Sequence, residues 1–366
     1  ANASDANGYG SFYYAPPTDH LALCSKNLPD PTITPSKNFN TVLYTGDGGS
    51  DRTITTNLSA VDLVWVKLRS GSDDHRIADT VRGGNKHLKS NDHSAESTGT
   101  TIIKSFSGAT FNVGSDGSVN GNGSTYVAWT WKANGSGSAN TTGTINSTVS
   151  ANTSAGFSIV SYTGNGSNGA TVGHGLSQAP NLVIVKNRTD GGNSWLTGSI
   201  QNIAGTTMDF TDYLRIDAGD ALGDEHTLWN DTAPTSSVVT LGTHGWSNTN
   251  TKNYIMYCFH NVAGYSKIGS YYGNGSTDGT FVYMGFKPAW IMIKNMVTNG
   301  SSWLVTDNKM NPTNDGAMSN LWAEHTSAAN ENDYEYDFLS NGLKLRATSS
   351  NINNTSQFLY IAFAEQ

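Results

Sequence analysis

Three marks recur in the same order, three times, along this chain, and the recurrence limits the fold more than any other feature. The first mark is a glycine-rich turn closing an apolar run: Tyr44-Thr45-Gly46-Asp47-Gly48-Gly49, Tyr162-Thr163-Gly164-Asn165-Gly166-Ser167 and Tyr272-Gly273-Asn274-Gly275-Ser276. The second, 22 to 24 residues after the Tyr, is an apolar run ending in Lys: Leu63 to Lys67, Leu182 to Lys186 and Trp290 to Lys294. The third follows after roughly 60 to 70 residues: Tyr126 to Trp131, Tyr254 to Phe259 and Phe358 to Phe363. A period of about 110 residues is long enough for each unit to bury a core of its own. The expected organisation is therefore three beads: modules at 39–133, 156–264 and 265–366, behind an N-terminal arm at 1–38.

Residues 134–155 join the first two modules and are rich in Gly, Ser, Thr and Asn. They suit either a flexible tether or an extended ordered crossing. The third module follows the second with almost no linker. Strand signals fill the chain: short runs of Val, Ile, Tyr, Trp and Thr between Gly/Asn/Ser turns, including Arg76-Ile77-Ala78, Thr101 to Phe106, Tyr213 to Ile216 and Val238 to Leu241. Ser340-Asn341-Gly342 between apolar runs predicts a hairpin. One short helix is expected around Asn320 to Glu324. The fold class that follows is all-β: three tandem β-sandwich-like, jelly-roll or lectin-like modules. Trp65, Trp129, Trp131 and Trp290 lie on core strands and read as structural.

In the arm, Ser11 to Ala15 reads as a strand stopped by Pro16-Pro17, and His20 to Cys24 as a short apolar stretch. Pro29, Pro31 and Pro35 favour an extended connection. Phe12, Tyr13, Tyr14, Leu21 and Leu23 are the candidate docking residues. The start at Ala1 without Met is read as a processed terminus or the start of a fragment.

Only 14% of residues are charged, against about a quarter in typical soluble domains. Net charge is −8 and no basic cluster stands out, which argues against nucleic acid and anionic membranes as partners. The two cysteines, Cys24 and Cys258, make no disulfide framework, and Cys258 reads as a buried thiol. No run of 18 apolar residues is present, so membrane insertion is not expected.

Gly164-Asn165-Gly166-Ser167-Asn168-Gly169 matches a dinucleotide fingerprint, but Ala170 to Gly175 after it is no helix, and a helix N-terminus is what holds the pyrophosphate. Asp47 with Asp51, and Asp217, Asp220, Asp224 with Glu225, are oxygen-rich without the spacing of a calcium loop. The nine histidines form no zinc pattern, and His174, His244 and His260 read as structural. No nucleophile elbow or Cys/His pair appears. The expectation is a protein without catalytic residues, metal or cofactor. Trp229, Trp246, Trp322 and Tyr334 lie in Asn/Asp/Gly-rich stretches away from the core runs, and are the candidate surface-recognition residues.

The stretches "YTGNGS", "PNLVIVKNRT", "WNDTAPTSSVVTLGT", "GYSKIGSYYGNGSTDGTFVYMGFKPAWIMIKN" and "DFLSNGLKLR" closely resemble a repeat of structural, tail-fibre-like virion proteins of marine tailed bacteriophages, over residues 39 to 366. Phe12 to Leu28 resembles the closing strand of a SPRY-like, lectin-type sandwich. The resemblance implies a non-enzymatic virion component on the extracellular phage particle, as a fibre or appendage contacting the host surface. Capsid decoration (cement), and a carbohydrate-binding or depolymerising module, are the alternatives. Its partners would be other virion proteins of capsid or tail and host surface glycans, with a homo-oligomer such as a trimer.

Overall fold

In the computed structural model, residues 2–22, 24–27, 31–203, 205–314, 316, 318–330 and 334–365 are described. The chain is nearly all β, built from antiparallel sheets. The same strand order recurs in three of them. In the first repeat Phe39–Thr45, Thr125–Trp131, Leu63–Leu68 and Arg76–Asp79 lie side by side in that order. The second repeat places Phe157–Thr163, Asn253–Phe259, Leu182–Asn187 and Leu196–Ser199 alike. The third does so with Ser266–Tyr272, Gln357–Phe363, Trp290–Asn295 and Leu304–Asp307. The third mark of each repeat thus sits between the first two, so sequence-distant runs become neighbours.

Each sheet carries a smaller sheet on one face: Arg52–Thr55 with Thr110–Val113 and Ile103–Ser107, Ala170–Gly173 with Val238–Leu241, and Phe281–Tyr283 with Gly342–Leu345 and Tyr336–Leu339. Val64, Val66 and Ala128 pack there against Ile54, Phe111 and Val113. Equivalent cores hold Val183, Met256 and Val239, and Ile291, Tyr360 and Leu343. This is sandwich packing, with side chains alternating between the two faces of each strand.

The other faces are not solvated. Leu63, Trp65, Trp129 and Trp131 of the first repeat, Leu182, Ile184, Tyr257 and Phe259 of the second, and Trp290, Met292, Ile361 and Phe363 of the third share one apolar cluster. The beads of the sequence reading are therefore one body with a common core. Both faces of each central strand are covered, and Leu63–Leu68, Leu182–Asn187 and Trp290–Asn295 are buried at every position. That explains why these runs are unbroken in apolar character rather than alternating. Aromatic rings cross the junction: Phe39 to Trp131 at 5.1 Å, Trp131 to Trp290 at 5.8 Å, Trp290 to Phe363 at 5.7 Å and Phe363 to Phe259 at 5.7 Å between centroids. Such pairs add about 0.5–1.5 kcal/mol each beyond area burial. Trp65, Trp129, Trp131 and Trp290 are structural, as expected.

The glycine-rich turns have a structural explanation. Asn120, Asn248 and Asn353 are fully buried, one per repeat. Asn248 accepts from the Asn165 amide at 2.9 Å and donates to the Ser167 and Gly242 carbonyls at 2.9 and 2.8 Å. Asn353 accepts from Asn274 and donates to Ser276 and Ala347; Asn120 accepts from the Asp47 amide and donates to the Asp47 side chain and the Gly49 carbonyl. A Cβ on Gly46, Gly164 or Gly273 would run into the carbonyl oxygen of Gly121, Thr249 or Asn354. The turn after Tyr162 leads into strand Ala170–Gly173, so no helix N-terminus receives a pyrophosphate. The aromatic mark of the third copy is Tyr271 rather than Tyr272. Tyr44, Tyr162 and Tyr271 donate their hydroxyls to the carbonyls of Val119, Ser247 and Ile352, while Tyr272 is 41% exposed.

Of the other expectations, the ordered crossing and the hairpin are met, while the helix at 320–324 and the strand at 11–15 are not. Residues 134–155 are ordered: Ser138–Asn140 and Ser147–Asn152 add two strands to the second sheet. Asn320 to Glu324 holds the strand Leu321–Trp322, not a helix, because it pairs with Leu304 and Val305. Short helices occur instead at Gly117–Asn120 and His226–Trp229, capped by Asp116 and Glu225. The hairpin through Ser340-Asn341 forms, with Leu339 opposite Gly342. Ser11 to Ala15 forms no strand; Phe12 makes a single bridge to Ala3.

Candidate functional site

The first candidate feature is the arm. Its near end is fixed by Pro31 lying against Gly264, which at φ +73° has no room for a Cβ, and by Ile33 packing on the shared core. Its far end is ordered by Asp5, whose carboxylate accepts from the amides of Asn7, Tyr9 and Ala22 and from the Asn27 side chain. Tyr13 and Tyr14 stand edge to face at 4.8 Å and are 81% and 80% exposed. Leu21 is exposed and Phe12 partly so. Leu23 lies outside the described residues.

The second feature is a cleft in the third repeat, where the structure brings Trp322 and Tyr334 together. Trp322 is only 9% exposed and forms the floor. Strand Leu321–Trp322 holds it, and the turn beyond folds back through the His325 amide bonding to the Trp322 carbonyl at 3.2 Å. The His325 ring stacks on Trp322 at 6.0 Å, and Tyr334 meets it edge-on at 6.1 Å. Asn351 donates to the Tyr334 hydroxyl at 2.6 Å and accepts from the Ser302 amide at 3.0 Å, which fixes both groups. Together these residues border an open cleft of about 290 Å³. Below it Glu324 turns inward to accept from the Trp303 amide at 3.1 Å, and burial pushes its carboxyl above the usual range. His325, Asn351 and Ser302 were not singled out in the sequence. For Asn351, the signal was its place two residues before the repeated Asn353.

The other candidates fall elsewhere. Trp229 is fully buried against Phe210 in the second repeat's own core, so it recognises nothing at the surface; the helix His226–Trp229 turns it inward. Trp246 is half-buried. It holds the place two residues before Asn248 that Asn351 holds before Asn353, and the Arg215 guanidinium lies 5.8 Å from its ring. Arg215 pairs with Leu196 as Trp322 pairs with Leu304, so the two sites correspond. In the second repeat Trp246 takes the place of Asn351, with the Tyr213 and His244 rings edge-on to it at 5.6 and 4.7 Å.

The carboxylates have protein partners: Asp51 with Lys104, Asp220 with Arg215, and Glu225 with the Thr227 amide and hydroxyl. Asp217 is enclosed beside Lys186, and burial raises its pKa while Lys186 opposes the rise. Among the described residues no three His, Cys, Asp or Glu side chains are grouped to hold a metal. His174 and His260 are buried and bonded to backbone, and burial pushes the Cys258 thiol up.

Fold and site together define an all-β, sandwich-type protein with an aromatic cleft and an exposed arm. The chain belongs to the family described as Domain of unknown function (DUF7483), whose model matches residues 34–366. No curated protein and no solved structure matches it. The family match begins where the arm meets the body.

Proposed function

We propose that this chain is a non-enzymatic structural protein of a tailed-phage particle, a fibre or appendage component that contacts the host surface. The sequence resemblance to virion repeats motivates the reading. The observation that carries it is the contrast between body and arm. Each central sheet spends both faces on packing, which yields a rigid scaffold, while Tyr13 and Tyr14 project as an aromatic pair. Exposed aromatics of this kind are favoured anchors at protein interfaces, where they bury large area at small conformational cost. The arm is then the docking element for another virion protein, and the body is the part presented outward.

Electron microscopy of intact particles with an antibody to residues 265–366 tests this. Label on the tail or on projecting fibres supports the appendage reading. Label spread over the capsid favours a decoration protein, the second reading, for which the exposed Tyr pair is equally suited. Absence of label from every particle sinks both. Removing residues 1–34 checks the arm separately: assembly onto the particle is expected to fail, and its survival would refute the docking role.

A further inference from the structure

We infer that the cleft floored by Trp322 is a binding site for a neutral saccharide, taken as a terminal sugar unit. The rings of His325 and Tyr334, backed by the nearly buried Trp322, supply apolar faces. Asn351 and Ser302 add amide and hydroxyl groups at the rim, and the Tyr334 hydroxyl, accepting from Asn351, keeps its own proton to donate. Ring faces beside fixed amides match the two-sided chemistry of a sugar, whose C–H face is apolar and whose edge carries hydroxyls. Small-ligand sites combine an aromatic lining with a few placed polar groups in this way.

Charge narrows the class. None of the described lining residues is a carboxylate, Lys or Arg, and Glu324 lies buried behind His325 with its carboxylate 3.7 Å from Nε2. Among the described lining residues an acidic sugar would find no Lys or Arg to pair with. A volume of about 290 Å³ is close to that of the smallest small-ligand sites, roughly 300 Å³, and suits a single sugar unit. The second repeat supplies an internal contrast. Where the third has Trp322 and Asn351, the second has Arg215 and Trp246, with the guanidinium 5.8 Å from the ring centroid. The Trp322 floor and the Asn351 rim are thus a local departure of the third repeat rather than a property of the fold.

The site deepens the host-contact reading, yet its test is separable from particle location. The purified full chain is applied to an array of neutral, uronic-acid and sialylated oligosaccharides, and hits are titrated by tryptophan fluorescence. Binding to neutral glycans is expected. Tyr334→Ala and His325→Ala should each weaken it at least about tenfold, the scale of a 1.4 kcal/mol contact. Asn351→Trp, which puts at the rim the ring that the second repeat carries at this position, should abolish it, and Trp246→Ala should leave it unchanged. Circular dichroism and melting confirm that each variant is folded. The proposal is overturned by a folded chain with no neutral hits, by binding confined to acidic glycans, or by affinity unaltered in all three cleft variants. Capture of a peptide or protein at the cleft in place of any glycan would overturn it equally.

Discussion

The indole N–H of Trp303, in the third repeat, donates to the backbone carbonyl of Arg215, in the second, at 2.7 Å. Trp195 of the second repeat donates in the same way to the Lys89 carbonyl of the first, at 2.7 Å. His75 of the first bonds through Nε2 to the Trp322 carbonyl of the third at 3.0 Å, closing a ring of three. His75 Nδ1 accepts from the Trp65 indole at 2.7 Å, so Nε2 must carry the proton. The rule is one donor per repeat, aimed at the neighbour's strand edge. His75 stands where the others have Trp.

Cutting one link should leave a buried carbonyl unsatisfied. Trp303→Phe keeps the ring and removes the donor, and is expected to cost about 1–3 kcal/mol. Trp303→Ala adds a cavity at the junction and should cost about 3–5 kcal/mol. Urea unfolding measures both. A single transition, coincident by fluorescence and circular dichroism, is expected because the repeats share one core; separate transitions for the repeats would contradict that.

The repeated asparagines should matter more than the visible turn residues. Asn248→Ala strips several bonds from the buried side of the turn and should destabilise by about 2–3 kcal/mol. Asn165→Ala, at the exposed side, should cost about 1 kcal/mol or less. Gly164→Ala forces a Cβ into the Thr249 carbonyl and should rank with the buried asparagine. Melting temperatures of the three variants, compared side by side, give the order.

Trp229 and Trp246 of the second repeat should separate cleanly. Trp229→Ala empties a buried site beside Phe210 and should cost about 3–5 kcal/mol. Trp246→Ala removes a half-buried ring and one cation–π contact, worth about 0.5–1 kcal/mol. Denaturant midpoints check the difference; equal losses would mean that Trp246 is a core residue.

Lys67, Lys186 and Lys294 end the second mark of each repeat and are fully buried. Each donates to a backbone carbonyl, of Leu68 and Thr326, of Asn193, and of Ser301. Burial lowers all three to about 8 from the ordinary 10.5. The unfolded chain therefore holds more protons between pH 8 and 10.5, and stability rises with pH in that window. The gain is expected to stop near pH 10, where the unfolded tyrosines begin to ionise while burial keeps Tyr162, Tyr257 and Tyr271 protonated. Melting temperatures at pH 7.5, 8.5 and 9.5 should climb, and Lys186→Met should flatten the slope. A fall over the same range would refute the assignment.

His75 behaves oppositely to an exposed imidazole. Burial, helped by Lys67, lowers it to about 3 from 6.5. The unfolded state takes up its proton first as pH falls below 6.5, so this residue withdraws stability progressively toward pH 3. Its ring resonances should show no titration between pH 7 and 4.5, and a midpoint near 6 would show that the ring is not sealed.

The sequence by itself determined the period, the strands and the all-β class, because alternation, Gly/Asn turns and repeated marks are local properties of the chain. The Trp residues on the repeated runs could be assigned to the core for the same reason. What the runs face was decided only by the tertiary structure. An unbroken apolar strand reads alike whether its second face meets its own module or a neighbour, so the shared core and the ring through His75, Trp195 and Trp303 were invisible. The same limit explains Trp229 and Trp322. Both sit among polar residues, but a four-residue helix turns one fully inward, while a two-residue strand sets the other beneath a cleft. Which ring faces solvent depends on the partners that cover it, and those partners, His325, Tyr334 and Asn351, meet only when the chain has folded.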